Sequence, residues 1–257
     1  MIIEELNNVA PIEGVIRLSE VDNSFEDLYQ KVITKEKRNY SNDELRLLPF
    51  ASNLNPHKAE WNLRTKSFLR FNEYLKTKNS SLNILDLGCG SGWFSAKLSS
   101  GSDHIFYCVD INLAALRTGA KIFTSPQLKF IYADLFKVKF PRSSFDIIVL
   151  NSSLQFFPDI TVLMRELLYL ITQDGEIHIV DTPFYKQEEL ALVESKTASY
   201  YKSLGIPQMK GKHFHCNYSS LSILNHTLLY DPRSIKNKLL GIIFGKDSNH
   251  PWIIIKK

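Results

Sequence analysis

The stretch Ile84-Leu85-Asp86-Leu87-Gly88-Cys89-Gly90-Ser91-Gly92-Trp93 constrains this chain more than any other. A short apolar run ends on an acidic residue and passes into three glycines at alternate positions. Glycine admits positive φ and lets a ligand approach the backbone closely. A helix signal then runs from Gly92 to about Ser100, with Gly101 as its stop. Strand, glycine turn and helix form the opening unit of an open parallel sheet. In such sheets this turn lies at the carboxyl edge, near the switch point where ligands bind.

Apolar runs recur at regular intervals around that unit. Asn83 to Leu87, Ile105 to Asp110, Leu128 to Ala133, Phe145 to Leu150 and Glu176 to Val180 read as strands. Asn112 is placed to cap a helix over Leu113 to Phe123, and Asp159 one over Ile160 to Leu170. Asp174-Gly175 reads as a turn. His226 to Tyr230 and Trp252 to Ile255 are assigned to an antiparallel far edge. The expectation is an α/β fold: a seven-stranded, Rossmann-like, doubly wound sheet, mostly parallel, with an N-terminal helical cap.

The cap spans residues 1–80 in this reading. Phe25, Leu28 and Val32 follow helical spacing, Ser41 to Glu44 matches a capping box, and Pro49 ends that short helix. Asn55-Pro56 offers an N-cap and N1 for a helix to about Thr77, with Trp61, Phe68, Phe71 and Leu75 on one face. Residues 81–257 form the core. Within it, 184–218 is a lid-like insertion with an amphipathic helix over Gln187 to Leu204 and a loop bearing His213 and His215.

Composition excludes several classes. The 257 residues carry 31 Lys+Arg against 27 Asp+Glu, a net charge of +4 that names no partner. Lys35-Glu36-Lys37-Arg38 reads as a solvated helix face, and no nucleic-acid partner is expected. Apolar runs such as Ile147 to Leu150 fall far short of the ~20 residues a membrane helix needs, so no membrane partner is expected. Met1 to Gly14 carries Glu4, Glu5 and Glu13 and lacks a basic start followed by an apolar stretch, so no secretion signal is expected. Cys89, Cys108 and Cys216 include no C-x-x-C pair, which argues against a disulfide framework or a zinc site and for a cytoplasmic protein.

A dinucleotide turn requires glycine at the sixth position from Gly88, and Trp93 stands there. The pattern is D-x-G-x-G-x-G, which resembles motif I of class I S-adenosylmethionine-dependent methyltransferases, in particular their small-molecule, type 11-like branch. The resemblance spans roughly residues 82–182. Val109-Asp110-Ile111, Ala133-Asp134-Leu135 and Phe145 to Ser152 agree with the later strand ends of that family. It implies S-adenosyl-L-methionine as the cofactor. Asp86, Leu87, Gly88, Cys89, Gly90 and Gly92 then shape the turn beside the methionine part. Asp110 and Ile111 face the ribose, Asp134 and Leu135 the adenine, and Asn151 and Ser152 border donor and acceptor. Arg64 pairs with the donor carboxylate, or simply with Glu60 on its own helix.

A methyl sulfonium is already activated, so transfer is an in-line displacement that needs no metal, and holding the reacting atoms collinear is the main task. A protic acceptor also needs a base. His57, His213 and His215 are candidates, and the assignment stays open. The H-x-H of the insertion has no evident partner ligand, so no metal is expected. After the fourth strand, Asn151-Ser152-Ser153-Leu154 lacks the Asn-Pro-Pro-Tyr type sequence of enzymes that methylate nucleobases or glutamine amides. The expected function is methyl transfer to an O or N atom of a small-molecule acceptor. The alternatives are an RNA or protein methyltransferase, to which the pI near 8.8 points, and a non-catalytic S-adenosylmethionine-binding module. A nicotinamide oxidoreductase is disfavoured by Trp93.

Overall fold

The computed structural model describes residues 9–244 and 247–257. The first eight residues of the expected cap, and most of the stretch examined for a secretion signal, lie outside the described residues. Among the described residues, eight strands form one sheet. In chain order they are β1 (Val15–Arg17), β2 (Asn83–Leu87), β3 (Ile105–Asp110), β4 (Leu128–Tyr132), β5 (Phe145–Asn151), β6 (Ile171–Val180), β9 (His226–Tyr230) and β10 (Trp252–Lys256). Their spatial order is β1-β4-β3-β2-β5-β6-β10-β9. β1 to β6 run parallel, and β10 pairs antiparallel with both β6 and β9. The order reverses between β2 and β5, which places the switch point at the glycine turn.

The expected seven strands are corrected to eight by β1, which comes from the segment read as wholly helical. Val15 and Ile16 are buried, and β1 covers what is otherwise the open edge of β4. Three residues are too short a run for periodicity to register.

Strand alternation sends side chains into two layers. One layer holds Leu85, Val109, Ile131, Ile148 and Ile179 under Leu163 and Leu167 of α6 (Ile160–Leu170). The other holds Ile84, Phe106, Phe130 and Val149. It lies under α3 (Lys58–Lys76), α4 (Trp93–Ser99) and α5 (Leu113–Ile122). Trp93 is core: it packs edge-on against Trp61 at 5.4 Å.

The caps follow the sequence closely. Ser41 and Glu44 form the capping box of α2 (Asn42–Leu47), Asn112 accepts from Ala115 N–H, and Asp159 accepts from Val162 N–H. Two boundaries differ from expectation. α3 starts at Lys58, with His57 at its N-cap, because the Asn55 side chain is spent on His57 N–H at 2.8 Å. Asp174-Gly175 does not end a strand. Pairing passes from Phe145↔Ile171 to Ile147↔Glu176, so the two residues belong to a bulge over 172–175 within continuous β6.

The 184–218 insertion contains β7 (Phe184–Tyr185) paired with β8 (Cys216–Asn217), and between them α7 (Leu190–Ser203). Its Tyr201, Ile206 and Met209 pack against Val32 of α1 (Asn23–Lys35), with Phe25 and Tyr29 alongside. Between β9 and β10 lies α8 (Ile235–Phe244), which the sequence reading left unassigned. Among the described residues no helix is long and apolar enough to cross a membrane.

Candidate active site

The turn after β2 takes its shape from glycine. Gly88, Gly90 and Gly92 have φ of 75°, 58° and 71°, a region L side chains rarely adopt. The three differ in their surroundings. A Cβ on Gly88 meets Ser153 Cβ at 2.5 Å, and one on Gly92 meets Phe130 at 2.6 Å. A Cβ on Gly90 meets nothing within 4 Å, so the turn opens to free space there. Ser153 Oγ donates to Leu87 O at 2.6 Å and ties the tip of β5 to that of β2 across the switch point.

Asp110, at the tip of β3, is joined to this turn. Its Oδ2 accepts from Gly90 N–H at 2.6 Å and its Oδ1 from Asn112 N–H at 2.8 Å. Each oxygen keeps a lone pair for a further donor. Burial raises the Asp110 carboxyl, while backbone donors at Gly90, Asn112 and Ile111 act the other way. Asp86, on β2, is buried. Its Oδ2 accepts from Ser95 Oγ at 2.7 Å. Among the described residues its Oδ1 has no partner. Burial pushes this carboxyl up to about 7, against the Ser95 hydrogen bond and with the charge of Asp110. Asn151 Oδ1, at the end of β5, is likewise buried and unpartnered among the described residues. Two buried acceptors thus flank the switch point without a donor.

The remaining expected residues are placed less uniformly. Asp134 caps its own turn: Oδ1 accepts from Phe136 N–H at 3.0 Å and Lys137 Nζ lies 3.4 Å from Oδ2. Leu135 is buried, and Ile111 packs at the edge of the core. Cys89 is buried, and burial raises its thiol well above the usual range, which leaves it a filler of the turn. Arg64 makes two contacts at once, Nε to Glu60 Oε1 at 3.2 Å and an η nitrogen to Ser152 Oγ at 2.6 Å. Glu60 also binds Arg38 at 2.6 Å.

A cavity of about 230 Å³ opens beyond the tips of β5 and β6, bounded by Arg64, Ser152, Gln155, Asp181, His213 and His250, among others. Two of these, Ser152 (φ 58°) and Asp181 (φ 50°), hold the left-handed conformation without being glycine. Of the histidines read from the sequence, His213 lines the cavity. His57 and His215 do not; their rings are engaged by Glu36 O and Thr197 Oγ1. Burial, with His215 beside it, pushes His213 down to about 4, so it is neutral at neutral pH.

Sequence reasoning missed Glu26, Tyr29, Asp181 and His250. Glu26 on α1 accepts from Leu113 N–H at 2.7 Å and so caps α5 from outside. Phe25 and Tyr29 pack edge-on against Phe156 at 5.6 and 5.5 Å. Burial raises the Tyr29 phenol, and the charges of Arg64 and Asp110 reach it. α1 therefore roofs the cleft between β3 and β5. Asp181 repeats the acid-at-strand-tip signature of Asp86, Asp110 and Asp134, so its signal was present. His250 sits in a loop with no local motif.

Comparison with known proteins agrees with this geometry. Residues 85–179 match the family model described as a methyltransferase domain. This stretch of the chain is similar to methyltransferase domains. The uncharacterized methyltransferase Rv0089 of Mycobacterium tuberculosis is 29% identical over 97 residues, 38% of this chain and 49% of that protein. The chain thus spans about half the length of the curated relatives it matches. An S-adenosylmethionine-dependent methyltransferase structure from Methanococcus maripaludis superposes with a TM-score of 0.51 at 15% identity, covering 93% and 97% of the two chains. The plantazolicin methyltransferase BpumL, solved with S-adenosylhomocysteine, gives 0.51 at 19%, covering 90% and 99%. At these identities the likeness is one of fold. The methyltransferase domain accounts for the sheet order and for the position of the glycine turn at its carboxyl edge.

Proposed function

We propose that this chain is an S-adenosylmethionine-dependent methyltransferase that transfers a methyl group to an O or N atom of a small organic acceptor. The observation that carries the reading is the Asp110 carboxylate hydrogen-bonded into the glycine turn at Gly90. A carboxylate fixed there, with lone pairs to spare, suits two ribose hydroxyls. The unpartnered oxygens of Asp86 and Asn151 suit the cationic aminoacyl end of the donor. Gly90, open to free space, leaves room for it. When bound, the donor supplies a methyl group on a positively charged sulfur, and transfer returns the C–S electron pair to that sulfur.

The chain's own work is positional. Asp110 and the turn hold the nucleoside end. Asp86, Asn151 and Arg64 orient the other end. Phe25, Tyr29 and Phe156 keep water from the cleft. Fixing the reacting atoms in line supplies much of the acceleration in such a displacement. The small cavity at the tips of β5 and β6 favours a small acceptor over a macromolecule.

Equilibrium dialysis against methyl-labelled S-adenosylmethionine tests the reading. Saturable binding, displaced by S-adenosylhomocysteine and not by NAD, is expected. No binding at millimolar donor, or equal displacement by NAD, overturns it.

A further inference from the structure

The cavity at the tips of β5 and β6 shares Arg64 and Ser152 with the donor site and adds Gln155, Asp181, His213 and His250, which the donor leaves unused. We propose that it is the acceptor subsite, that it takes a small, hydrogen-bond-rich molecule bearing an O–H or N–H nucleophile, and that His250 receives the proton this nucleophile gives up. The inference rests on the methyltransferase reading above.

Size and lining set the class of ligand. At about 230 Å³ the space lies below the roughly 300–1,000 Å³ of pockets for drug-sized ligands. Among the described residues, Leu63 and Pro183 are the only apolar side chains that line it. A long acyl or isoprenoid chain does not fit this volume. Burying unpaired polar groups against such a chain is costly. A ligand with several donors and acceptors finds partners in Glu60, Arg64, Gln155, Asp181 and His250.

Two further observations mark the cavity as built. Gln155 is nine-tenths buried. Its Nε2 donates to Ser152 O at 2.7 Å, while its Oε1 has no partner among the described residues. That oxygen is an acceptor awaiting a ligand N–H or O–H. Ser152 and Asp181 end adjacent parallel strands, and both hold strained positive φ. Strain of this kind persists where the surroundings over-determine it, commonly at ligand sites.

The choice of His250 follows from how the two cavity histidines are held. His213 Nδ1 is engaged by the Tyr201 hydroxyl at 2.8 Å. The His250 ring makes no hydrogen bond among the described residues, so its nitrogens are free for the ligand. The groups that reach it are Asp181 and Glu60, which favour its charged form, and Arg64, which opposes it. Burial is the largest influence and lowers it, which leaves a neutral ring able to take a proton. As the acceptor heteroatom bonds to the methyl carbon, its proton passes to His250, and the imidazolium then discharges to water. Asp181 is a positioning residue. Ser67 Oγ at 2.6 Å and Ser248 Oγ at 3.3 Å hold it facing the cavity.

The test follows histidine ring resonances by NMR in protein saturated with S-adenosylhomocysteine. Saturation itself checks the methyltransferase reading, so the two can fail separately. The probes are glycerol, ethanolamine and D-glucose, with p-cresol as the apolar comparison. The proposal expects a polar probe to shift His250 and His213 at lower concentration than p-cresol. It also expects Gln155→Ala to weaken that probe about 10-fold, the loss of one hydrogen bond. Asp181→Asn lowers the pH midpoint of His250 further, with the His226 ring as an internal control. Signals that p-cresol moves first, that no probe moves, or a His250 midpoint unchanged in Asp181→Asn, overturn the proposal.

Discussion

Asp86, proposed above to bind the donor, carries a cost to stability. Its carboxyl titrates near 7 in the folded chain against 3.8 unfolded, because burial disfavours the charge. A raised folded pKa gives stability that is complete below about pH 4 and is lost as pH rises through 7. The shift corresponds to at most roughly 4 kcal/mol. Asp86→Asn should flatten the fall in melting temperature between pH 4 and 8 and raise it by several degrees at pH 8. The same variant should bind S-adenosylhomocysteine more weakly. A melting profile that keeps the wild-type slope contradicts this account. The two neighbouring glycines make a paired prediction. Gly88→Ala drives a Cβ to 2.5 Å from Ser153 and should unfold the chain well below the wild-type temperature. Gly90→Ala carries only backbone strain of about 1 kcal/mol, yet its methyl group points into the donor space, so fold is kept and donor affinity drops. Differential scanning fluorimetry and titration on both variants check the contrast. These residues were legible in the sequence because their signal is local: an acid and three glycines within seven positions. His250, Asp181 and Arg64 come together only through tertiary folding, so no spacing announces their meeting.

At the scale of elements, strands and caps were read well where several cues agreed. Asn112 and Asp159 cap the helices they precede because a short side chain before an apolar periodic run has one good use. β1 went unread since three residues hold no period, and α1 was read as part of the N-terminal helical cap. It covers the cleft between β3 and β5. Glu26 reaches across to cap α5, and Phe25 and Tyr29 seal against Phe156. Glu26→Ala leaves Leu113 N–H uncapped and should lower stability by about 1 kcal/mol. It should also speed hydrogen exchange across residues 23–35. Bound S-adenosylhomocysteine should restore protection there in the wild type. Exchange in α1 that is indifferent to both the substitution and the ligand contradicts the roofing role.

For the whole molecule, one buried network ties the cap to the far edge of the sheet. Glu176 on β6 accepts from Tyr74 at 2.5 Å and from Lys78 and Lys256 at 2.9 Å, and His178 Nε2 lies 3.3 Å away. Trp252 Nε1 donates to His178 Nδ1 at 3.0 Å, which fixes the ring as neutral with its proton on Nε2. Burial opposes the Glu176 charge, but these donors together hold its carboxyl below the usual range. The sign is opposite to that of Asp86. A depressed folded pKa gives stability that is present above the unfolded 4.5 and is lost as pH falls below it. Glu176→Ala leaves the Tyr74 hydroxyl and His178 Nε2–H without their acceptor, while Lys78 and the half-exposed Lys256 turn to water, and should cost about 1–3 kcal/mol at pH 7, with the difference shrinking towards pH 3. Chemical denaturation at the two pH values measures it. The fold class was legible at this scale because hydrophobic runs, turns and caps alternate in order. The proposed acceptor subsite was not, since that cavity is assembled from five separated segments.

The central claim is that Asp110 and the glycine turn together grip the nucleoside of the methyl donor. Calorimetric titration of S-adenosylhomocysteine into the wild type and Asp110→Ala tests it most directly, with melting temperatures of both as the folding control. Two hydrogen bonds to a charged carboxylate contribute about 3 kcal/mol or more, so the account predicts a loss of affinity of at least about 100-fold in a variant that still folds. Affinity within a few-fold of wild type in folded Asp110→Ala contradicts it.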